Sequence, residues 1–232
     1  MSENKRAAIV TGTSSGIGYA IADALLELGY QVFGISRTLN DKCRFNTIVC
    51  DICDTEKLLV EIDKIRKEYR VEILVNNAGI GFYGLHEELN ARKIKQLVRT
   101  NFEAPMILTN YLLRELKRNK GWVINISSVT ASKTNPHGCA YGATKAGLAS
   151  FSRSLFEEAR KYGVRVVNVE PDMTVTNLYR NADFKASDDV MASLSPEEVA
   201  EAVSYILKQR EGLVVTDITI RPQLHRLSKK NK

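Results

Sequence analysis

The chain has 232 residues, a length that suits one large α/β domain better than two small ones. Hydrophobic residues make up 44% and charged residues 26%, a balance that excludes an intrinsically disordered chain. The formal net charge of +6 is spread along the chain, and a dedicated nucleic-acid binder would concentrate it.

The first apolar run, residues 7–10, is too short for a secretion signal or a membrane span, so a cytoplasmic protein with no membrane partner is expected. Residues 7–12 (AAIVTG) read as a buried first strand. Apolar Ile17, Ala20, Ile21, Ala24, Leu25 and Leu28 recur at helical steps over 16–28, and Gly29 ends the helix. Further strands are expected at 31–36, 46–51 and 73–76, with helices at 55–68 and, after Asn101, at 105–118. A fifth strand (122–127) precedes a helix over 141–162. A sixth (164–169), a helix (196–209) and a seventh strand (213–221) follow. This alternation predicts the α/β class: a doubly wound, Rossmann-type parallel sheet of about seven strands with helices on both faces, in one domain.

Cys50 and Cys53 form a Cys-x-x-Cys, but no second Cys or His pair stands at ligand spacing. They read as packing thiols, with no metal site. Lys229, Lys230 and Lys232 make the one dense basic run, within a tail (residues 223–232) that reads as a solvated end. Polyanion binding is the lesser alternative.

Between the first strand and first helix stands TGTSSGIG, residues 11–18. Glycines in such a turn let backbone N–H groups approach a pyrophosphate at the helix N-terminus. Isolated glycines merely end strands, and it is the strand–loop–helix context that points to a dinucleotide. At the end of the second strand an acid would bind the adenosine ribose and repel a 2′-phosphate. Ser36 and Arg37 stand there instead, leaving room and offering donors, so NADP(H) is the expected cofactor. The plainer alternative is that Arg37 is a solvent-facing loop residue.

The spacing of Gly12, Gly16 and Gly18, with Ser14, Ser15 and Ile17 between them, resembles the short-chain dehydrogenase/reductase family. The resemblance runs from residue 7 to about 205 with the motifs in family order. It implies that Asp51 and Ile52 contact the adenine, and that Asn76, Asn77, Ala78 and Gly79 (NNAG) brace the sheet and line the ribose. It implies that Pro171, Thr174 and Thr176 meet the nicotinamide end. By the same resemblance Asn101, Ser128, Tyr141 and Lys145 form the catalytic set. Ser128 would hold a substrate carbonyl and Tyr141 would donate the proton. Lys145 would bind the nicotinamide ribose, and Asn101 would organise a proton path to Lys145. Tyr141 and Lys145, four apart on one helix face, suit proton transfer, because an ammonium should pull a phenol's pKa down toward neutrality. Ser127 should point the other way by strand alternation.

The chain departs from the family at Asp172, where glycine usually follows the proline, and in its C-terminal stretch VVTDITIRPQ, which lacks a glycine-rich close. Asp172 would tolerate a left-handed backbone if one is needed, or else face the substrate. Residues 177–195 stand where relatives build a substrate lid, and here they read as short, polar and exposed. His137 and Cys139 are near enough in sequence to touch a substrate, though a lone loop histidine is more often structural. The expected activity is NADPH-dependent interconversion of a ketone, aldehyde or diketone with its alcohol. An NADP(H)-binding regulator without turnover is the alternative. The expected partners are that small molecule and further copies of the chain in a homodimer or homotetramer, with no nucleic acid.

Overall fold

Strand β1 (Arg6–Thr11) sends Ala7 and Ile9 to one side and Ala8 and Val10 to the other, and all four are fully buried. A strand apolar on both faces needs helices above and below it. The computed structural model of the protein, which describes residues 5–230, supplies both layers. On one face lie α2 (Thr55–Glu68), α4 (Ala104–Asn119) and α5 (Cys139–Ala159), with Leu58, Ile62, Leu108, Leu112 and Leu155 packed on the sheet. On the other lie α1 (Gly16–Glu27) and α6 (Pro196–Leu207), contributing Ile21, Leu25, Val199, Val203 and Ile206.

The sheet adds β2 (Gln31–Ser36), β3 (Asn46–Val49), β4 (Arg70–Asn76), β5 (Trp122–Ile126), β6 (Arg165–Pro171) and, after a short β7 (Phe184–Ala186), β8 (Asp217–Ile220). Its order is β3-β2-β1-β4-β5-β6-β8, parallel throughout. The expected seven-stranded, doubly wound architecture is therefore what the chain adopts. Strand order reverses between β1 and β4, and the loops at their carboxyl ends part to leave a crevice.

Beyond shifts of a few residues at element ends and the short β7, four differences from expectation stand out. Strand β3 ends at Val49, so Asp51 belongs to the loop that follows. Strand β8 occupies only four residues of the nine anticipated. Helix α3 (Ala91–Val98), not anticipated, starts at Asn90, whose side chain accepts from the Lys93 N–H. It passes through a π-turn (Arg99–Glu103) into α4, so α3 and α4 run on with Asn101 inside the join.

The fourth difference is the tail. Residues 223–230 are not a free solvated end. Strand β9 (Leu227–Lys229) pairs antiparallel with β7, the Leu224 N–H donates to the Met191 carbonyl, and Arg226 reaches Asp189. The Lys230 ammonium donates to the carbonyls of Tyr179, Arg180 and Ala182 at 2.6–3.1 Å. Carbonyls left open at the end of a helical turn attract a cation, which is the physical reason this lysine is held. Lys232 lies outside the described residues.

Candidate active site

The crevice at the β1–β4 switch opens into a cleft of about 560 Å³. The β1–α1 turn forms one wall. Gly12 and Gly16 adopt left-handed backbone (φ +76° and +63°). A Cβ on Gly18 would collide with the Asn77 amide and the Gly12 carbonyl, so only glycine allows the turn to pack this closely. Ser15 stands at the helix N-cap without a side-chain capping bond, its hydroxyl accepting instead from the Asn177 amide (3.5 Å), and Ser14, Ser15, Gly16, Ile17 and Gly18 all line the cleft. The turn is braced by NNAG. Asn77 donates to the Thr11 carbonyl (2.8 Å), while the Asn77 and Ala78 N–H groups both donate to the Thr11 hydroxyl at 3.0 Å. Asn76 points down into the sheet and donates to Thr109 and Asn125 (3.0 and 2.8 Å).

At the end of β2, Ser36 is buried and spends its hydroxyl proton on the Thr38 carbonyl (2.6 Å). Arg37 beside it is exposed on the cleft rim and joins no ion pair among the described residues. Asp51, Ile52, Asn77, Ala78, Gly79, Pro171, Thr174 and Thr176 also line the cleft. Its chemistry is that of a polyanion cradle: backbone N–H groups at a helix N-terminus, small residues, and Arg37, Arg99 and Arg180 around the edge. That donor set fits a pyridine dinucleotide.

Ser128, Tyr141 and Lys145 come together on the cleft floor, each less than a tenth exposed. Ser128 follows β5 and its oxygen accepts from the Thr130 N–H, which fixes the turn. Ser127, just past the end of β5, lines the cleft as well, but its hydroxyl proton is spent on the Val169 carbonyl (3.2 Å). The Lys145 ammonium donates to the Ile126 carbonyl (2.8 Å) and stands 5.8 Å from the centroid of the Tyr141 ring. Asn101 is fully buried. Its amide donates to the Ile80 carbonyl (2.9 Å) and the Thr144 hydroxyl (3.2 Å), and its oxygen accepts from the Ile80 N–H (2.9 Å).

The expected pull of Lys145 on Tyr141 is not what sets that phenol. Burial pushes Tyr141 up to about 12, with the Ser128 hydroxyl opposing the rise. Burial also brings Lys145 down to about 8. Both groups sit in the same dry floor, and desolvation penalises the charged form of each.

Asp172 requires no left-handed backbone. Its N–H donates to the Ile220 carbonyl, and its carboxylate accepts from Met173 N–H and from Arg221 Nε, each at 2.9 Å. Although it lines the cleft, its charge is matched by Arg221, so it anchors the edge strand in place of a glycine-rich close. His137 and Cys139 are exposed and do not line the cleft, and the His137 carbonyl instead accepts from Gly84. Cys50 is core and Cys53 touches Thr100, with both thiols raised by burial, so neither is an activated thiolate. Among the described residues no cluster of His, Cys, Asp and Glu is placed to hold a metal, and no helix is long and apolar enough to cross a membrane.

The lid segment is exposed in part, as expected, but buried in part as well. A 3₁₀ turn (Asn177–Asn181) lies against the glycine turn, with Thr176 packed on Gly16. Ala186, Ser187, Ala192, Ser193 and Leu194 are buried beneath it. Tyr179, Arg180 and Asn181 of the expected lid line the cleft together with Phe82, which lies outside every expected site segment. Their signal was aromatic content in a loop, which sequence alone cannot orient.

Against known proteins, residues 6–186 match the family model described as short chain dehydrogenase. An uncharacterized oxidoreductase of Staphylococcus saprophyticus is 29% identical over 231 residues, covering 94% of this chain and 97% of its own. A probable NADP-dependent dehydrogenase of Haemophilus influenzae is 28% identical, covering 93% and 92%. Among solved structures, a short-chain dehydrogenase from Streptomyces avermitilis superposes with a TM-score of 0.81 at 30% identity, over 95% of this chain and 89% of that one.

Proposed function

The chain belongs to the short chain dehydrogenase family, and from that premise we propose that it is an NADPH-dependent oxidoreductase interconverting a carbonyl compound with its alcohol. The observation that carries this reading is the convergence of Ser128, Tyr141 and Lys145 on the floor of a cleft whose opposite wall is the glycine turn. The cofactor, when bound, supplies hydride, and the chain supplies orientation, charge and a proton.

In the reductive direction the Ser128 hydroxyl donates a hydrogen bond to the substrate carbonyl oxygen and holds it beside the Tyr141 phenol. As hydride adds to carbon, the O–H bond of Tyr141 breaks and its proton goes to the carbonyl oxygen, leaving a phenolate. The Lys145 ammonium, 5.8 Å from that ring, stabilises the negative charge in a site where water does not screen it. Burial keeps the phenol protonated across the physiological range, and the neighbouring Lys145 charge is what makes that proton transferable. Asn101 acts on the same group indirectly: by pinning Ile80 and Thr144 it sets the loop and helix that face Lys145.

NADP preference rests on Ser36 and Arg37 and on the likeness to the NADP-dependent relative. Homo-oligomerisation through the faces of α4 and α5, in a homodimer or homotetramer, belongs to the same proposal.

NADPH oxidation by purified protein against a panel of ketones, aldehydes and diketones tests the activity. Tyr141→Phe is expected to lower turnover by at least ~10³-fold while NADPH binding changes less than about threefold. Unchanged turnover would remove Tyr141 from the chemistry. NADPH binding with no turnover of any carbonyl would favour a regulator.

A further inference from the structure

Tyr83 lies in the loop after β4 and belongs to no motif discussed above. Its ring centroid stands 5.7 Å from that of Tyr141, 5.9 Å from Tyr179 and 5.1 Å from Phe184, and Tyr179 and Phe184 are 5.5 Å apart. The reacting phenol is thus joined to the lid through one intervening ring. The hydroxyl end of that ring lies over Gly81, where a Cβ would sit 2.6 Å from Tyr83 Cε2 and 2.8 Å from its hydroxyl. Gly81 therefore makes the position available, and its carbonyl accepts from Asn181 of the lid (3.3 Å). From the far side β7, which carries Phe184, is held by pairing with β9. Tyr83 is clamped between floor and lid.

The open cleft is lined by Tyr141, Tyr179 and Phe82 but not by Tyr83 or Phe184. Tyr83 and Phe184 therefore stand one ring back from the cleft, packed behind Tyr141 and Tyr179. A carbonyl oxygen held by Ser128 and Tyr141 has the nucleotide cleft on one side, so its carbon substituents extend toward the lid, where they meet Tyr179 with the Tyr83 ring packed behind it. We propose that Tyr83 is a specificity-determining residue that limits substituent size and restricts the enzyme to small carbonyl compounds. This rests on the carbonyl-reductase reading above. A packed aromatic ring enforces such a limit sterically, and an aliphatic group in its place leaves volume continuous with the cleft.

The test compares kcat/KM for bulky and small carbonyls in matched pairs (acetophenone with butanone, benzil with 2,3-butanedione) at saturating NADPH. Tyr83→Ala is expected to raise the bulky-to-small ratio by ~10-fold or more, on the scale at which apolar pockets discriminate by size. Tyr83→Leu, which keeps a side chain over Gly81, is expected to raise it by a smaller factor and serves if the alanine variant does not fold. Tyr83→Phe keeps the ring and should keep the ratio. A ratio within twofold of wild type in the folded aliphatic variants overturns the proposal. So does a fall in the ratio, which would make Tyr83 a stacking surface for aromatic substrates. Turnover in the wild type with an unmoved ratio overturns this proposal alone, whereas no turnover of any carbonyl by wild type overturns it together with the reductase reading.

Discussion

A lysine with almost no exposure, bonded to one backbone carbonyl, holds its charge less firmly than a lysine in water. Lys145 titrates at about 8, and its ammonium is needed to stabilise the Tyr141 phenolate and to meet the nucleotide. The charged form is complete below that value and is lost as pH rises through it. We therefore expect kcat/KM for NADPH, which reports the free enzyme, to be level below pH 8 and to fall about tenfold per unit above it. A profile flat to pH 10 would detach Lys145 from the mechanism. Tyr141 does not limit this direction, because it stays protonated throughout the range. Arg37 makes a second residue-scale case. It is exposed on the cleft rim with no ion-pair partner among the described residues, so its loss should cost the fold little. Arg37→Ala is expected to weaken NADPH binding by ~10–100-fold, the worth of charge-assisted bonds to a phosphate, and NADH by less than threefold, as read by fluorescence titration. Equal losses for the two nucleotides would show that Arg37 does not read the phosphate.

The lid is the element that owes most to distant sequence. Its 3₁₀ turn ends in carbonyls held by Lys230, its β7 needs β9 as a partner, and Asp189 meets Arg226. The exposed ion pairs contribute little individually, since solvent screens them. The strand pairing and the three-carbonyl grip of Lys230 carry more. Removing residues 223–232 is expected to raise KM for the carbonyl by ~10-fold with NADPH affinity changed much less, because the glycine turn is built without the tail. Steady-state kinetics and limited proteolysis within residues 177–195 check this, and an unaltered KM would mean that the lid stands alone. Helix α3 teaches the opposite lesson. Asn90 as N-cap, with Ile94, Leu97 and Val98 following at helical spacing, was readable in the sequence.

For the molecule as a whole, the positive balance finds uses that do not require nucleic acid. Arg37, Arg99 and Arg180 ring the cleft, and Arg226 and Lys230 bind the lid. The proposed assembly through α4 and α5 predicts a mass of two or four protomers by light scattering, and a monomer at micromolar concentration would contradict it. The small residue Gly147 on α5 does not argue for that contact, because a Cβ there already meets Phe102 of the same chain at 3.1 Å.

Resemblance to the family marked Ser128, Tyr141 and Lys145, while local pattern alone determined the alternation of strands and helices, the glycine turn and Arg37 at the end of the second strand. These features depend on periodicity and on spacing within one or two elements, both of which a linear chain records. Tertiary structure decided the dry environment that raises Tyr141 and lowers Lys145, the Asp172–Arg221 pair, the tail bound to the lid and the wall of aromatic rings. Each depends on groups far apart in sequence sharing one volume, and desolvation, ion pairing and ring packing act through distance in space.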